Sequence, residues 1–168
     1  LRRAPEDSVA DSGLWQHLRT EALPLEDVAL LVASVSDNLA TNVLLRHEAR
    51  QAGCDEAILI RDGHVTEVAT SNIFVVLKDE LLTPPLGPHI LDGITRDLVV
   101  ELAQRHEIPV REAPVTVEQL TQADEIWISS STRGARPVVV LDGQPVGDGR
   151  PGPLWRRMAE HYAAFRRA

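Results

Sequence analysis

Arg61-Asp62-Gly63-His64-Val65-Thr66-Glu67-Val68-Ala69-Thr70-Ser71-Asn72-Ile73-Phe74-Val75-Val76-Leu77 is the stretch on which the fold of this chain turns. Asp62-Gly63 sits between apolar runs and carries the strongest short-range hairpin signal, because both residues tolerate positive φ. The run before it, Glu56 to Arg61 (EAILIR), reads as one strand. The return strand is expected to run through Val65 and on to Leu77. Lys78-Asp79-Glu80 turns the chain again into a short Leu81-Leu82-Thr83 strand, closed by Pro84-Pro85.

Working outward, Leu39, Val43 and Leu44 recur on one face of a helix expected from Asn38 to Gln51, with Gly53 as its C-terminal cap. Upstream, Val28 to Ser34 is a compact apolar run that suits a buried strand or a helix equally. Downstream, Ile94, Leu98 and Leu102 recur every four residues and predict an amphipathic helix to about His106. Val110 to Val115 reads as extended, Val117 to Gln122 as one helical turn, and Glu125 to Ser130 and Val138 to Leu141 as strands. A terminal helix is expected after Pro151-Gly152-Pro153. Hairpins mixed with helices indicate an α+β, or mixed α/β, domain without internal repeats. Residues 27–168 are taken as that domain, and residues 1–26 as an arm or the remnant of a connection.

Composition narrows the function classes. The chain has 168 residues, 43% hydrophobic and 25% charged, which is ordinary for one globular domain with its own core. A formal net charge of −8 is a poor match to a phosphate backbone, so no nucleic-acid partner is expected. Cys54 is the only cysteine, which excludes an internal disulfide and suits a cytoplasmic protein. No apolar run is long enough to span a bilayer, no signal peptide is read at the start, and no metal-ligand spacing is visible. Leu1 is not an initiator methionine, so the chain reads either as a piece of a longer polypeptide or as one numbered from its first ordered residue.

Four segments carry candidate chemistry. Leu91-Asp92-Gly93-Ile94-Thr95 opens the clearest helix, where free amides and the positive dipole end can hold an anion. A plain loop-to-helix junction with Thr95 as a local cap explains it without a ligand, and such junctions are the commoner case. Ser129-Ser130-Ser131-Thr132 places four hydroxyls at a strand end, suited to a phosphate or simply a polar transition. Thr66-Glu67, followed by Thr70-Ser71-Asn72, offers a carboxylate that could hold a protonated ring nitrogen or stand solvated at an edge. Ser36-x-Asn38 is accounted for by helix capping alone. From residue chemistry, the reading ends at a mixed domain that could carry a phosphate pocket.

Taken together, Asn42-Val43-Leu44, Gly53 to Leu59, Arg61 to Phe74, Ile90 to Asp97, Asp124 to Arg133 and Asp142 to Pro153 make a longer pattern. In order and spacing the chain resembles the larger, C-terminal domain of class IV pyridoxal-phosphate aminotransferases, in particular their D-amino-acid aminotransferase branch. The resemblance implies strands in a curled, barrel-like sheet flanked by helices. It also implies pyridoxal 5′-phosphate as cofactor, amino-acid and 2-oxo-acid substrates, and a homodimer. Glu67 then matches the carboxylate at the pyridine nitrogen, and Leu91 the side chain on the ring face. Gly93, Ile94 and Thr95 match the phosphate loop, and Ser130 and Ser131 the second phosphate-contacting segment.

The same resemblance exposes two departures. The family's Schiff-base lysine position falls on Val35, or on Ser34 with the alternative spacing, and the only lysine in the chain is Lys78. Without an amine, neither residue can form the covalent link or shuttle the Cα proton. The family's smaller N-terminal domain is also longer than Leu1 to Glu26. Two readings follow: a transaminase domain by descent, inactive or incomplete as written, or a non-catalytic phosphate-binding or partner subunit. An aminodeoxychorismate lyase-like activity is a minor variant that needs the same lysine.

Overall fold

The computed structural model describes residues 38–87 and 90–167, with side chains from residue 43. The expected Val28–Ser34 element, the arm, the lysine position at Ser34 and Val35, and the Ser36 cap lie outside the described residues. The chain divides into two units, Leu1–Ala57 and Ile58–Ala168.

In the first unit, helix α1 spans Asn38–Gln51, as the periodicity predicts. Gly53 takes φ +78°, its amide donates to the Arg50 carbonyl, and Cys54 N donates to the Ala49 carbonyl at 2.9 Å. This pair of return bonds satisfies the last-turn carbonyls and requires a residue that tolerates the left-handed region.

The second unit opens with a hairpin of β1 (Ile58–Arg61) and β2 (His64–Val68). Arg61 faces His64 across Asp62 and Gly63, at φ +50° and +75°, so both turn residues are left-handed as a two-residue hairpin needs. Here one expectation is corrected. The Val65–Leu77 run is not one strand: Val68 and Ser71 bond each other across Ala69-Thr70, and β3 (Asn72–Leu77) leaves for a second sheet. The sequence holds the reason. In His64–Val68 only Val65 and Val68 are buried, whereas five consecutive residues of Asn72–Val76 are buried, as in a strand covered on both faces.

β3 is the centre of a five-stranded sheet of order β5-β4-β3-β7-β8. A tight turn at Lys78 and Asp79 leads into β4 (Glu80–Thr83). Helix α2 (Ile94–Arg105) then crosses over to β5 (Val110–Glu112), parallel to β4. β7 (Glu125–Ser130) runs antiparallel along the other side of β3, pairing Asn72 with Ser129 and Val76 with Glu125. β8 (Gly134–Val138) completes that edge. A three-stranded sheet joins β1, β2 and β6 (Val115–Thr116), and β9 (Val140–Leu141) pairs with β10 (Gln144–Pro145). Helix α3 (Val117–Thr121) follows β6, and α4 (Pro153–Phe165) closes the chain. The α+β class is as expected; the described strands form three separate sheets, with no closed barrel among the described residues.

Two further runs divide where one strand was expected. Val110–Val115 splits at Ala113-Pro114 into β5 and β6, which belong to different sheets. Val138–Leu141 splits likewise, because the longer strand lies upstream at Gly134–Val138 and contains Pro137. Proline cannot donate to a ladder, yet an edge strand tolerates it, and β8 is an edge.

Alternation along β3 separates two cores. Ile73 and Val75 pack with Val65, Val68, Val115, Leu120 and Ile126. Phe74 and Val76 pack with Trp127, with Val99, Leu102 and Ala103 of α2, and with Leu154 and Met158 of α4. The second core is tied to α4 by Glu125, a buried carboxylate at the start of β7. Its Oε1 accepts from Leu154 N at 2.8 Å, and its Oε2 accepts from Trp155 N at 2.8 Å and from Trp127 Nε1 at 2.9 Å. A Cβ at Gly152 would land on this carboxylate, which explains the glycine there. Glu125→Ala strips the first turn of α4 of its acceptor and orphans a buried indole N–H. A loss of about 2–4 kcal/mol in urea unfolding is expected; a change under ~0.5 kcal/mol contradicts this account.

Where α2 ends against α4, the rings of His106 and His161 stack with centroids 3.6 Å apart and planes 7° from parallel. Partial burial, then the neighbouring His161, then Arg105 push His106 below its ordinary value of 6.5. The folded state therefore binds this proton less readily than the unfolded one, and the contribution is full above the ordinary value. Thermal stability should fall as pH drops through 6.5 and below. His106→Gln should flatten that part of the pH profile, measured by melting between neutral and mildly acidic buffers.

Candidate functional site

The loop that leads into α2 is held by side chains from two strands. Glu67, near the end of β2, accepts a hydrogen bond from Leu91 N at 2.9 Å through Oε2. Asn72, the first residue of β3, donates from Nδ2 to the Leu91 carbonyl at 2.7 Å. Both polar groups of the Leu91 backbone are thus held by side chains from strands of different sheets. Two residues on, a Cβ at Gly93 would land on Asn72 Oδ1, so only glycine leaves room for the amide side chain.

Arg96 fixes the helix that follows. Its side chain is buried, and Nη2 donates to the Pro84 carbonyl at 2.9 Å and to Glu112 Oε2 at 2.5 Å. The first turn of α2 is thereby locked to the ends of β4 and β5. The helix begins at Ile94 with Gly93 as its N-cap, in extended conformation and with no side-chain cap. Thr95 is therefore not the cap, contrary to the plain-junction reading; it lies buried within the first turn. The first intrahelical bond at this end runs from Asp97 N to the Gly93 carbonyl, and the preceding amides have no intrahelical acceptor. By contrast, α3 is closed by a reciprocal Thr116–Gln119 capping box, and α4 by Glu125. The uncapped amides of α2, its dipole and the buried Thr95 give this end the chemistry that suits an anion, beside a carboxylate.

Of the residues singled out in the sequence, Glu67, Leu91, Gly93, Ile94 and Thr95 are brought into one continuous arrangement by these bonds. Leu91 and Ile94 keep their apolar side chains exposed, Ile94 to 85%. Ser130 ends β7, and its Oγ accepts from Arg133 N at 3.3 Å; Ser131 lies in the loop to β8. The hydroxyl nearest the tethered loop by register is instead that of Ser129, which faces Asn72 across the β3–β7 ladder. Ser129 is buried and its Oγ has no hydrogen-bond partner, an unspent donor at this end of the sheet. In the sequence Ser129 stood out only as one of four clustered hydroxyls, and Asn72 only as the end of the Thr70-Ser71-Asn72 stretch. The one further local signal was that Asn72 is a polar residue heading a run otherwise apolar on both faces.

A phosphate ester of an aromatic, nitrogen-containing ring fits this set. The amides of α2 suit the phosphate, Glu67 suits a ring N–H, and Leu91 offers apolar cover between them. Lys78 stands at the opposite end of β3, six residues away, or about 20 Å at ~3.3 Å per residue. Gly93→Ala should cost about 1–3 kcal/mol by forcing Asn72 aside, since the backbone there (φ −88°) suits alanine. Equilibrium unfolding measures it, and an unchanged midpoint contradicts the packing described.

Comparison with known proteins gives the family of the chain. The family model for amino-transferase class IV matches residues 16–141. The chain is 39% identical over 138 residues to a D-alanine aminotransferase of Bacillus licheniformis, covering 82% of this chain and 49% of that protein. It is 37% identical over 145 residues to that of Staphylococcus haemolyticus, covering 86% and 51%. The chain thus spans about half the length of these curated relatives. Among solved structures, the branched-chain amino acid aminotransferase of Escherichia coli superposes with a TM-score of 0.72 at 36% identity, over 77% of this chain and 42% of that one. An aminotransferase from Brucella abortus bound to PLP gives a TM-score of 0.72 at 26% identity, over 87% and 51%. With the matched segment covering most of its length and the α2 loop built as described, this chain belongs to the class IV aminotransferase family.

Proposed function

We propose that this domain binds pyridoxal 5′-phosphate and serves amino-group transfer between an amino acid and a 2-oxo acid. The observation that carries the reading is the Glu67–Leu91 bond, which sets a carboxylate beside the uncapped start of α2. When bound, the cofactor supplies an electron-accepting ring. Glu67 holds a proton at the ring nitrogen through a charge-assisted hydrogen bond. The side chain of Leu91 covers one ring face and keeps water from it. Amides at Ile94 and Thr95, with the Thr95 hydroxyl, bind the phosphate end, and Ser130 and Ser131 supply its second contact. The D-alanine aminotransferase relatives favour a D-amino acid as donor.

A second reading rests on one specific observation. The chain's single lysine lies at the far end of β3 from this group, and the resemblance to the family would put the covalent position on Val35 or Ser34. The domain then holds the cofactor without a covalent link and acts as a binding or partner subunit rather than a transaminase by itself. Homodimerisation and a cytoplasmic setting complete the proposal. The family resemblance supports the first and the single cysteine the second, and no helix of the described residues is long and apolar enough to cross a membrane.

Absorbance titration with pyridoxal phosphate, followed by borohydride treatment and mass analysis, tests both readings. Saturable binding is expected on both readings, and the second expects no protein-bound adduct. An adduct overturns the non-covalent reading, and a complete absence of binding overturns the cofactor assignment. Glu67→Ala should weaken binding roughly tenfold to a hundredfold, the worth of one hydrogen bond to a charged group; an unchanged dissociation constant removes Glu67 from the ring nitrogen.

A further inference from the structure

We infer that Asn72 is a positioning residue for the cofactor site, holding the Leu91–Thr95 segment in the shape that presents the α2 amides and the Glu67 carboxylate to one ligand. The inference rests on the cofactor reading above and adds to it a residue that touches neither ring nor phosphate.

Three observations converge on this side chain. Asn72 is buried at the head of β3, on the sheet face that carries Phe74, Trp127 and α2. Its Nδ2 donates to the Leu91 carbonyl at 2.7 Å, while its Oδ1 occupies the space a side chain at Gly93 would need. Glu67 holds the other backbone polar group of the same residue, in the preceding peptide unit, through Leu91 N at 2.9 Å. One planar amide therefore sets the distance between the strand that carries the sheet and the glycine that begins the helix. Because amide and carboxylate grip the two polar groups of Leu91, a shift of that residue moves the Glu67 carboxylate and the α2 amides together. Glycine at position 93 lets the loop approach the strand, and it leaves the loop dependent on Asn72 to define its position, since glycine by itself is the most permissive residue. Arg96 anchors the helix body from the other side, through Pro84 and Glu112, so the freedom that Asn72 removes is confined to the loop.

Asparagine is suited to this task where close substitutes are not. Aspartate has the same shape but faces the Leu91 carbonyl with an acceptor. Serine reaches neither the carbonyl nor the space above Gly93. Alanine removes the strut and leaves the Leu91 carbonyl without its donor.

The test compares the wild-type chain with Asn72→Asp, Asn72→Ala and the pair Gly93→Ala and Asn72→Ala/Gly93→Ala. Pyridoxal-phosphate affinity, amide hydrogen exchange and melting temperature are measured for each. Asn72→Ala and Asn72→Asp should each weaken binding about tenfold or more, the worth of a buried hydrogen bond with its unpaired partner. Exchange should rise across Leu91–Arg96 without ligand and stay at its wild-type level in α4. Gly93→Ala should weaken binding in the wild-type background and have a smaller effect once Asn72 is alanine, because the obstructing oxygen has gone. Wild-type affinity in both Asn72 variants overturns the inference while leaving the cofactor reading intact. A rise in exchange spread evenly over α2 and α4 overturns it as well, in favour of a purely structural role. Failure of the wild-type chain to bind overturns the cofactor reading and this inference together. If Asn72→Ala does not fold, the isosteric Asn72→Asp decides.

Discussion

Burial of β3 on both faces is the constraint from which the rest of the second unit follows. Its apolar residues alternate between two cores, so the strand needs one layer built from Val65, Val68 and Val115 and another built from α2 and α4. Its polar groups must also be satisfied on both edges, by β4 and β7. A strand so enclosed has little tolerance for displacement, because a slip of one residue would exchange the two cores. Asn72 heads this strand and inherits its rigidity. The candidate site is precise because its reference point belongs to the least movable element.

The helices of the unit show how differently a fold can treat the same orphan donors. The chain closes α3 with a local capping box and α4 with Glu125, whose carboxylate comes from a strand about 30 residues earlier. At α2 it places Gly93 and no side-chain cap. The body of that helix is anchored as firmly as the others, through buried Arg96, so the open end is not a frayed one. Leaving donors unpaired at a well-anchored terminus is the usual way a protein prepares a place for a phosphate, and the chain around this one has net charge −8.

The absence of a nearby lysine separates two capabilities that the family combines. Holding a ring between a carboxylate and a helix terminus is a matter of amides, shape and one proton. Covalent attachment and movement of the Cα proton call for a basic amine within reach. The α2 loop brings together a carboxylate and uncapped amides, and Lys78 lies at the opposite end of β3.

Much of this architecture was legible in the residues. The Asp62-Gly63 hairpin, the span of α1, the start of α2 and the limits of β7 depend on local backbone preference and short-range periodicity, which the chain carries at each position. The family pattern likewise pointed to Glu67 and to the Leu91–Thr95 loop. What local preference could not decide was where strands change sheet, at Ala69-Thr70, Ala113-Pro114 and Val139, because that depends on which core each face meets. Nor could it show that Glu125 caps a helix begun at Pro153, or that Asn72 fills the space above Gly93. Each of those is a contact between residues far apart in the chain. Only the closing of the tertiary structure brings such donors and acceptors within 3 Å, so a buried polar residue reads in the sequence as an irregularity and acquires its meaning from the partner it meets.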